Sequence, residues 1–325
     1  GGSSAVDSML QWLGHEIAQD PRFIRAITRH LFKGVVGQDL LPTPGENSSD
    51  AEVTAFNAQR SILSDIGQEM VTDGWNVKTA ITGILLSPYY RANNIDSNKV
   101  IASGHIGSTR LLTPEMLQRK LKATLGFDWD ELRANDQNNR IMFGGIDSDS
   151  VIDRIHEPSG LMIAMQERMA VEMACRATAF DFTKLRSPTA NERRLFKFVS
   201  PGIEPYDADG FELTSNIEAI KKNIQYLHST LLSENLPLSH AEIEATYQLF
   251  LSTWQAGNNM LANPDNYEPE PSTYLEWTCR ARWDRENNDQ GLDSELRIDR
   301  DENYVIRSWM SVITYLLSDY RYIYE

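Results

Sequence analysis

Three aspartates follow a pair of glycines in residues 144–153, and their carboxylates are candidate ligands for a hard cation. Asp147, Asp149 and Asp153 lie close together along the chain. Ca²⁺ takes about six to eight oxygen ligands, many of them carboxylate and carbonyl oxygens of a turn. The spacing does not follow the EF-hand pattern, and aspartate is also common in turns because its side chain accepts hydrogen bonds from nearby backbone N–H groups. The segment predicts either a bound Ca²⁺ or a turn capped by its own aspartates.

His105 and His156 are the histidines that fall in predicted loops, and His156 follows the three aspartates. Imidazole beside carboxylates is a combination used by metal sites and by general acid–base catalysts. The sequence has no H-E-x-x-H pair, no G-x-S-x-G nucleophile elbow and no C-x-x-C-H haem attachment motif. An enzyme or metalloprotein would therefore draw on residues 144–157. Covalent haem in this chain is excluded, and no cofactor besides Ca²⁺ is predicted.

A second acidic cluster surrounds Gly291 in the C-terminal third. Its members are Asp284, Glu286, Asp289, Asp293 and Glu295. The composition again suits calcium, and the spacing again departs from the EF-hand. Arg282, Arg285 and Arg297 lie beside the cluster, so ion pairs are the favoured interpretation.

Four methionines recur at helical spacing before Cys175, at Met162, Met165, Met169 and Met173. Thioether and thiolate ligands select Cu(I). Helical spacing alone, however, places such a stripe against a neighbouring helix, where adaptable thioethers fill gaps in a core. Core packing is the favoured interpretation.

The chain has two cysteines, Cys175 and Cys279. A single disulfide in an oxidising compartment and two buried thiols in a reducing one both fit this count. The residues alone leave these alternatives open.

Helical periodicity dominates the chain, and helices must position the groups above. Three Ser/Thr-x-x-Glu capping boxes are typical of helix starts. They are Thr189 with Glu192, Ser215 with Glu218, and Ser239 with Glu242. No alternating run of β-branched residues is long enough to predict a strand. The sequence predicts an all-α fold, an irregular multi-helix bundle of two packed lobes with long ordered loops. Residues 1–108 form the N-terminal helical lobe, and residues 109–325 form a larger helical lobe with an acidic, aromatic-rich C-terminal region.

One helix ending is used twice. The phrase LLSPYYR at residues 85–91 returns as LLSDYR at residues 316–321. In both copies an apolar helical run reaches a serine followed by proline or aspartate, which are helix-stopping residues. The pattern predicts that a helix ends at each place.

The 325 residues carry a net charge of −15. Nucleic acids and anionic membrane surfaces need a basic face, so the charge argues against both as partners. Basic partners, or solubility alone, fit the charge better. No apolar run approaches the roughly 20 residues that span a bilayer. The sequence therefore predicts a chain without a membrane span.

Four short segments of the sequence together carry a resemblance to known proteins. They run from DPRF to HLF in residues 20–32, over the helix of residues 75–91, through RLLTPE at residues 110–115, and through GGID at residues 144–147. They resemble large secreted proteins of planctomycetes and some proteobacteria. Those proteins are built from helical domains of unknown function, often beside a planctomycete-type cytochrome c domain. The resemblance covers much of residues 20–180 and, more weakly, residues 309–324.

The resemblance implies an exported, periplasmic or extracellular helical module, with a link to redox chemistry or polymer breakdown. It favours a Cys175–Cys279 disulfide over free thiols. It also implies a cytochrome c domain elsewhere in a longer protein. This chain lacks the C-x-x-C-H motif of the cytochrome-bearing members, and the family supplies no catalytic residues to carry over.

The expected function is that of an accessory or structural module of an exported protein or assembly, acting through protein–protein docking or homo-oligomerisation. Aromatic residues among charged ones are typical of interface cores. They lie in the C-terminal third at Tyr267, Tyr274, Trp277 and Trp283. The alternative is an exported enzyme or metalloprotein with an inter-lobe site near residues 144–157, related to redox or polysaccharide chemistry.

A third interpretation is a carbohydrate binder that stacks sugars on tryptophan. Five tryptophans are candidates for such a platform: Trp75, Trp129, Trp254, Trp277 and Trp283. Burial is the more frequent fate of a tryptophan on a helix face, so this interpretation ranks below the other two.

Overall fold

The computed structural model describes residues 3–92, 101, 104, 106, 109–133, 137–147, 149–151, 154–155, 157–183, 193–287 and 289–324. The described part is almost entirely α-helical, and its strands form a two-stranded antiparallel hairpin. The chain divides into two compact units, Gly1–Arg110 and Leu111–Glu325. Among the described residues, no helix is long and apolar enough to cross a membrane. The predicted all-α fold is confirmed.

The described part of the first unit contains five α-helices. They are α1 (Ser3–Gln19), α2 (Pro21–Val36), α3 (Asp50–Thr72), α4 (Val77–Leu86) and α5 (Pro88–Arg91). Helices α2, α3 and α4 pack around Phe32, Leu63 and Ile84, which are buried. Tyr89 of α5 meets the Phe32 ring edge-on, with ring centroids 5.4 Å apart. Helices α2, α3, α4 and α5 thus build this core, and no described residue of α1 contributes to it.

The second unit has six described helices and the hairpin. The helices are α6 (Pro114–Leu125), α7 (Gln137–Met142), α8 (Gly160–Thr183), α9 (Thr214–Leu232), α10 (Ala241–Ala262) and α11 (Val305–Ser318), and the strands are β1 (Trp283–Asp284) and β2 (Gln290–Gly291). Helix α11 packs against α8, α9 and α10, and its Trp309 is fully buried. Met162, Met169 and Met173 are buried on the facing side of α8, and Met165 packs against the same core. The core-packing interpretation of the methionine stripe is confirmed.

The repeated helix ending is also confirmed. Helix α4 ends at Leu86, and Pro88 starts the short α5. Helix α11 ends at Ser318, and Asp319 accepts a hydrogen bond from the Arg321 N–H to cap the 3-10 helix Tyr320–Ile323. In both places a single further turn follows the end of the helix.

Two of the three predicted capping boxes are wrong, and the third lies outside the described residues. Helix α10 starts after His240, whose Nδ1 accepts the Glu242 N–H at 3.1 Å, in place of the predicted Ser239. Ser215 already lies within α9, which begins at Thr214 without a side-chain cap. There the Leu213 N–H donates to the Pro205 carbonyl, so backbone pairing ahead of the helix fixes its start.

The C-terminus is fastened to α6. Leu112 N–H donates to the Ile323 carbonyl at 2.8 Å, and Lys120 Nζ donates to the Tyr322 carbonyl at 2.7 Å. The Lys120 ammonium also lies 4.5 Å from the centroid of the Tyr322 ring. Burial lowers the pKa of Lys120 to about 8, because desolvation disfavours the charged amine.

The shifted pKa of Lys120 predicts a pH-dependent contribution to stability. Between about pH 8 and 10.5 the unfolded chain keeps the Lys120 proton that the folded chain has released, so stability should rise with pH across this window. The wild type should therefore gain stability relative to Lys120→Met as the pH is raised. Urea unfolding of both proteins from pH 7 to 10.5 measures the difference between their free energies of unfolding. The contributions of other titrating groups cancel in this difference, because both proteins contain them. A constant difference would contradict the prediction.

Candidate functional site

A disulfide joins Cys175 of α8 to Cys279, the last residue of the 3-10 helix Trp277–Cys279. Their Cα atoms lie 4.8 Å apart, and 104 residues separate them in sequence. The open question of the two cysteines is answered in favour of a bond. The bond fastens the turn that carries Trp277 to α8, which contributes many residues to the core of the second unit.

Two large aromatic side chains project into solvent beside this bond. Tyr274 is 45% exposed and Trp277 is 52% exposed. The Arg280 guanidinium lies 5.3 Å from the Tyr274 ring centroid and 5.5 Å from that of Trp277. Arg300 lies 4.1 Å from the Tyr274 ring, and Arg282 lies 4.8 Å from the Trp277 ring. We call these five residues, together with Trp283, the aromatic–arginine cluster.

Hydrogen bonds hold the arginines of the cluster in place. Arg282 donates to both carboxylate oxygens of Asp299, at 2.7 and 3.0 Å. Arg300 pairs with Glu302 at 3.4 Å and also donates to the Tyr274 hydroxyl. These bonds raise the pKa of both guanidinium groups, Arg282 chiefly through Asp299 and Arg300 chiefly through Tyr274. The rings of Tyr274 and Trp277 therefore contact guanidinium groups that are themselves held by hydrogen bonds.

Backbone pairing builds the frame beneath the cluster. Leu275 N–H donates to the Asp299 carbonyl at 2.9 Å. Ala281 and Ile298 exchange backbone hydrogen bonds at 2.9 and 3.1 Å. Leu275, Ala281 and Ile298 are buried, so these side chains anchor the segment in the core while the rings of Tyr274 and Trp277 stay exposed. Such a frame reduces the entropy that the rings would lose on binding.

Asp301 connects this frame to α11. Its side chain is fully buried, and its oxygens accept the backbone N–H groups of Ile306 at 3.0 Å and Arg307 at 2.9 Å. Arg307 in turn donates to the carbonyls of Ser272 and Tyr274, at 2.9 and 2.7 Å. The start of α11 and the backbone of Tyr274 are thus held by one network.

The predicted calcium turn contains an aspartate that is already bonded within the turn. Asp147 Oδ1 accepts the backbone N–H groups of Asp149, Ser150 and Val151 at 2.6 to 2.9 Å. These bonds, led by that from Val151, hold the pKa of Asp147 well below its usual range. Asp149 is exposed. Asp147 therefore acts as a turn cap in this geometry.

Asp153 and His156 lie outside the described residues, as does His105. Within the described part of the chain, no group of three or more histidine, cysteine, aspartate or glutamate side chains is placed to hold a metal ion. The Ca²⁺ site at Asp147, Asp149 and Asp153 stays a prediction.

Ion pairs occur in the second acidic cluster, in line with the favoured interpretation. Arg285 pairs with Asp289 at 3.7 Å, and Arg194 pairs with Glu286 at 3.0 Å. Asp284 instead caps a turn by accepting the Glu286 N–H at 3.1 Å.

Two of the five candidate tryptophans pack into or against the core, which is the favoured alternative to a stacking platform. Trp129 is fully buried, where its Nε1–H donates to Glu172 at 2.9 Å. Trp254 packs against the core of the second unit. Trp277 and Trp283 do lie together, with ring centroids 5.9 Å apart, but their planes cross at 76°. Crossed rings give no flat stacking surface for a sugar.

A second arrangement with catalytic residue types was not predicted. His228 Nδ1 lies 2.8 Å from Glu234 Oε2, and His228 Nε2 lies 3.1 Å from the Thr246 hydroxyl. This is the order of an acid–histidine–hydroxyl triad. Thr246 is only 1% exposed and His228 is fully buried, so a substrate cannot reach the hydroxyl. Arg321 also pairs with Glu234, and the group is a buried tie between α9, α10 and the C-terminus.

The fold and the cluster define an all-α protein with one disulfide and an ordered, exposed group of aromatic and arginine side chains. Comparison with protein-family models, curated proteins and solved structures finds no match to this chain.

Proposed function

We propose that this chain is an accessory helical module that docks a protein partner through the aromatic–arginine cluster. The observation that carries the proposal is the exposure of Tyr274 and Trp277 on a frame held by a disulfide and by backbone pairing. Tryptophan, tyrosine and arginine are the residues that dominate interface hot spots. The arginines hold the two rings in place, but much of the apolar area of the rings still faces water, and a partner that covers the rings would bury that area.

The partner is a protein surface with a basic rim. Residues 111–325 carry 35 acidic and 22 basic side chains, and this excess attracts a basic surface during diffusion. The cluster itself is close to neutral, because Arg282 and Arg300 are paired with Asp299 and Glu302. The rings would therefore supply the desolvated centre of the interface, and the surrounding acids its rim.

Export forms part of this proposal. Disulfides persist in oxidising compartments, so the Cys175–Cys279 bond favours a periplasmic or extracellular location. The resemblance to secreted multi-domain proteins supports the same location. It also suggests that the partner belongs to the same exported assembly.

A photo-cross-linking side chain at position 274 tests the proposal. In the exported fraction of the source cells, position 274 should give a discrete cross-linked protein, and the Trp277→Ala background should remove it. Loss of a hot-spot residue lowers affinity by roughly 30-fold or more. Phe211, which is 69% exposed and lies outside the cluster, is the matched control position and should give no such product. Equal cross-linking at positions 211 and 274, or none at 274, would contradict docking.

A further inference from the structure

An arginine-lined cleft lies between α2 and α3 of the first unit. Its volume is about 370 Å³, within the range of small-molecule sites. Four arginines line it, and no acidic residue does: Arg22, Arg25, Arg29 and Arg60. The chain has a net charge of −15, so the positive charge of this cleft is opposite in sign to that of the chain as a whole.

Helix geometry explains how the cations converge. Arg22, Arg25 and Arg29 follow one another at spacings of three and four residues, which places them on one face of α2. Arg60 comes from α3, which packs against α2. Leu63, which is buried, also lines the cleft with Leu40 and Phe56, which are half-buried, and we call these three residues its apolar floor. Arginine side chains therefore surround an apolar floor, and the cleft, at about 370 Å³, is large enough for an aromatic ring.

Three of the four guanidinium groups form no ion pair or hydrogen bond with an acidic side chain among the described residues, although the charge of Arg25 also acts on the Asp20 carboxylate. Arg22 alone is neutralised, by a two-pronged bond to Asp20 that lowers the pKa of this aspartate to about 2. Arg25 donates only to the Pro21 carbonyl. No hydrogen bond or ion pair is formed by Arg29 or Arg60 within the described part of the chain. Like charges placed around one cleft repel each other, and a bound anion would relieve that repulsion.

We propose that this cleft binds a small organic phosphate monoester. Its phosphate meets Arg25, Arg29 and Arg60, and its apolar body lies against Phe56 and Leu63. Arginine matches phosphate because its planar fork donates two parallel hydrogen bonds. A dianion suits three unpaired cations better than a single carboxylate does. The polar groups of Thr43 and Ser64, which also line the cleft, can donate to remaining oxygens.

This proposal does not rest on the docking function. The cleft belongs to the unit Gly1–Arg110, and the aromatic–arginine cluster belongs to the unit Leu111–Glu325. Failure of one proposal leaves the other in place.

Calorimetric titration of the full chain with phenyl phosphate at low ionic strength tests the proposal. We expect saturable binding of one equivalent, tighter than that of inorganic phosphate or benzoate. Arg25→Gln, Arg29→Gln and Arg60→Gln should each weaken it about tenfold or more, because each removes a charge-assisted hydrogen bond. Arg91→Gln, at an exposed arginine of the same unit that does not line the cleft, is the matched control and should bind like the wild type.

The apolar floor has a separate test. Phe56→Ala, or the milder Phe56→Leu, should weaken binding of phenyl phosphate but leave that of inorganic phosphate unchanged. Unchanged circular dichroism shows that each variant is folded. Absence of saturable binding would overturn the proposal. If Arg91→Gln weakened binding as much as the cleft variants, binding would be a non-specific effect of charge and the proposed site would be wrong. If phenyl phosphate and inorganic phosphate bound equally well, the proposal of an organic ligand would be wrong.

Discussion

Replacing Cys175 and Cys279 together with serine is expected to lower the free energy of unfolding of the second unit by about 4 to 5 kcal/mol. The bond closes a loop of 104 residues, and in the loop-entropy model the cross-link restricts the unfolded chain by about this amount. The change should also release the turn Trp277–Cys279 from α8. Urea unfolding of the oxidised wild type and the double variant measures the first effect, and amide hydrogen exchange at Trp277 measures the second.

Two controls distinguish the effect of losing the disulfide from the effect of changing nearby side chains. Thr278→Ala changes an exposed side chain next to Cys279 and should alter stability by no more than about 0.5 kcal/mol. Reduction of the wild type should reproduce the double variant. If the double variant stayed within about 1 kcal/mol of the wild type, the backbone pairing of Ala281 with Ile298 would be the main restraint on the turn.

Features set by neighbouring residues could be predicted from the sequence. Proline at the first helical position begins α6 at Pro114, and a Ser-Pro or Ser-Asp pair follows the ends of α4 and α11. The burial of the methionine stripe of α8 is equally predictable, because helical spacing alone places these side chains on one face of the helix. Such signals act over one or two turns, so no tertiary contact is needed to interpret them.

Features that join distant segments could not be predicted in this way. His228 meets Glu234 just beyond the end of α9, but Thr246 reaches the His228 ring only because α10 packs against α9, and nothing in the local sequence marks that second contact. The aromatic region was expected, but the arginines that order Tyr274 and Trp277 depend on backbone pairing between distant segments. The arginine cleft had a local signal in the spacing of Arg22, Arg25 and Arg29. The net charge of −15 is an average over the chain and hides this local group of cations.

Replacing Asp301 with alanine is expected to lower the free energy of unfolding by about 3 kcal/mol or more, because it leaves buried donors without an acceptor. The backbone N–H groups of Ile306 and Arg307 would lose their partner at the start of α11. Arg307 would lose the carboxylate that orients it and would hold the Ser272 and Tyr274 carbonyls less firmly. Stability and order at Tyr274 should therefore fall together, as urea unfolding and amide exchange would show.

Glu302→Ala is the matched control, since it removes the adjacent carboxylate, which is exposed and pairs with Arg300 at the surface. An exposed pair contributes at most about 1 kcal/mol, so this variant should unfold close to the wild type. Asp301→Asn should lie between the two, because its amide oxygen still accepts one N–H while its NH₂ group faces another donor. If Asp301→Ala were no less stable than Glu302→Ala, water would be replacing the carboxylate, and the start of α11 would not be what holds Tyr274 in the docking surface.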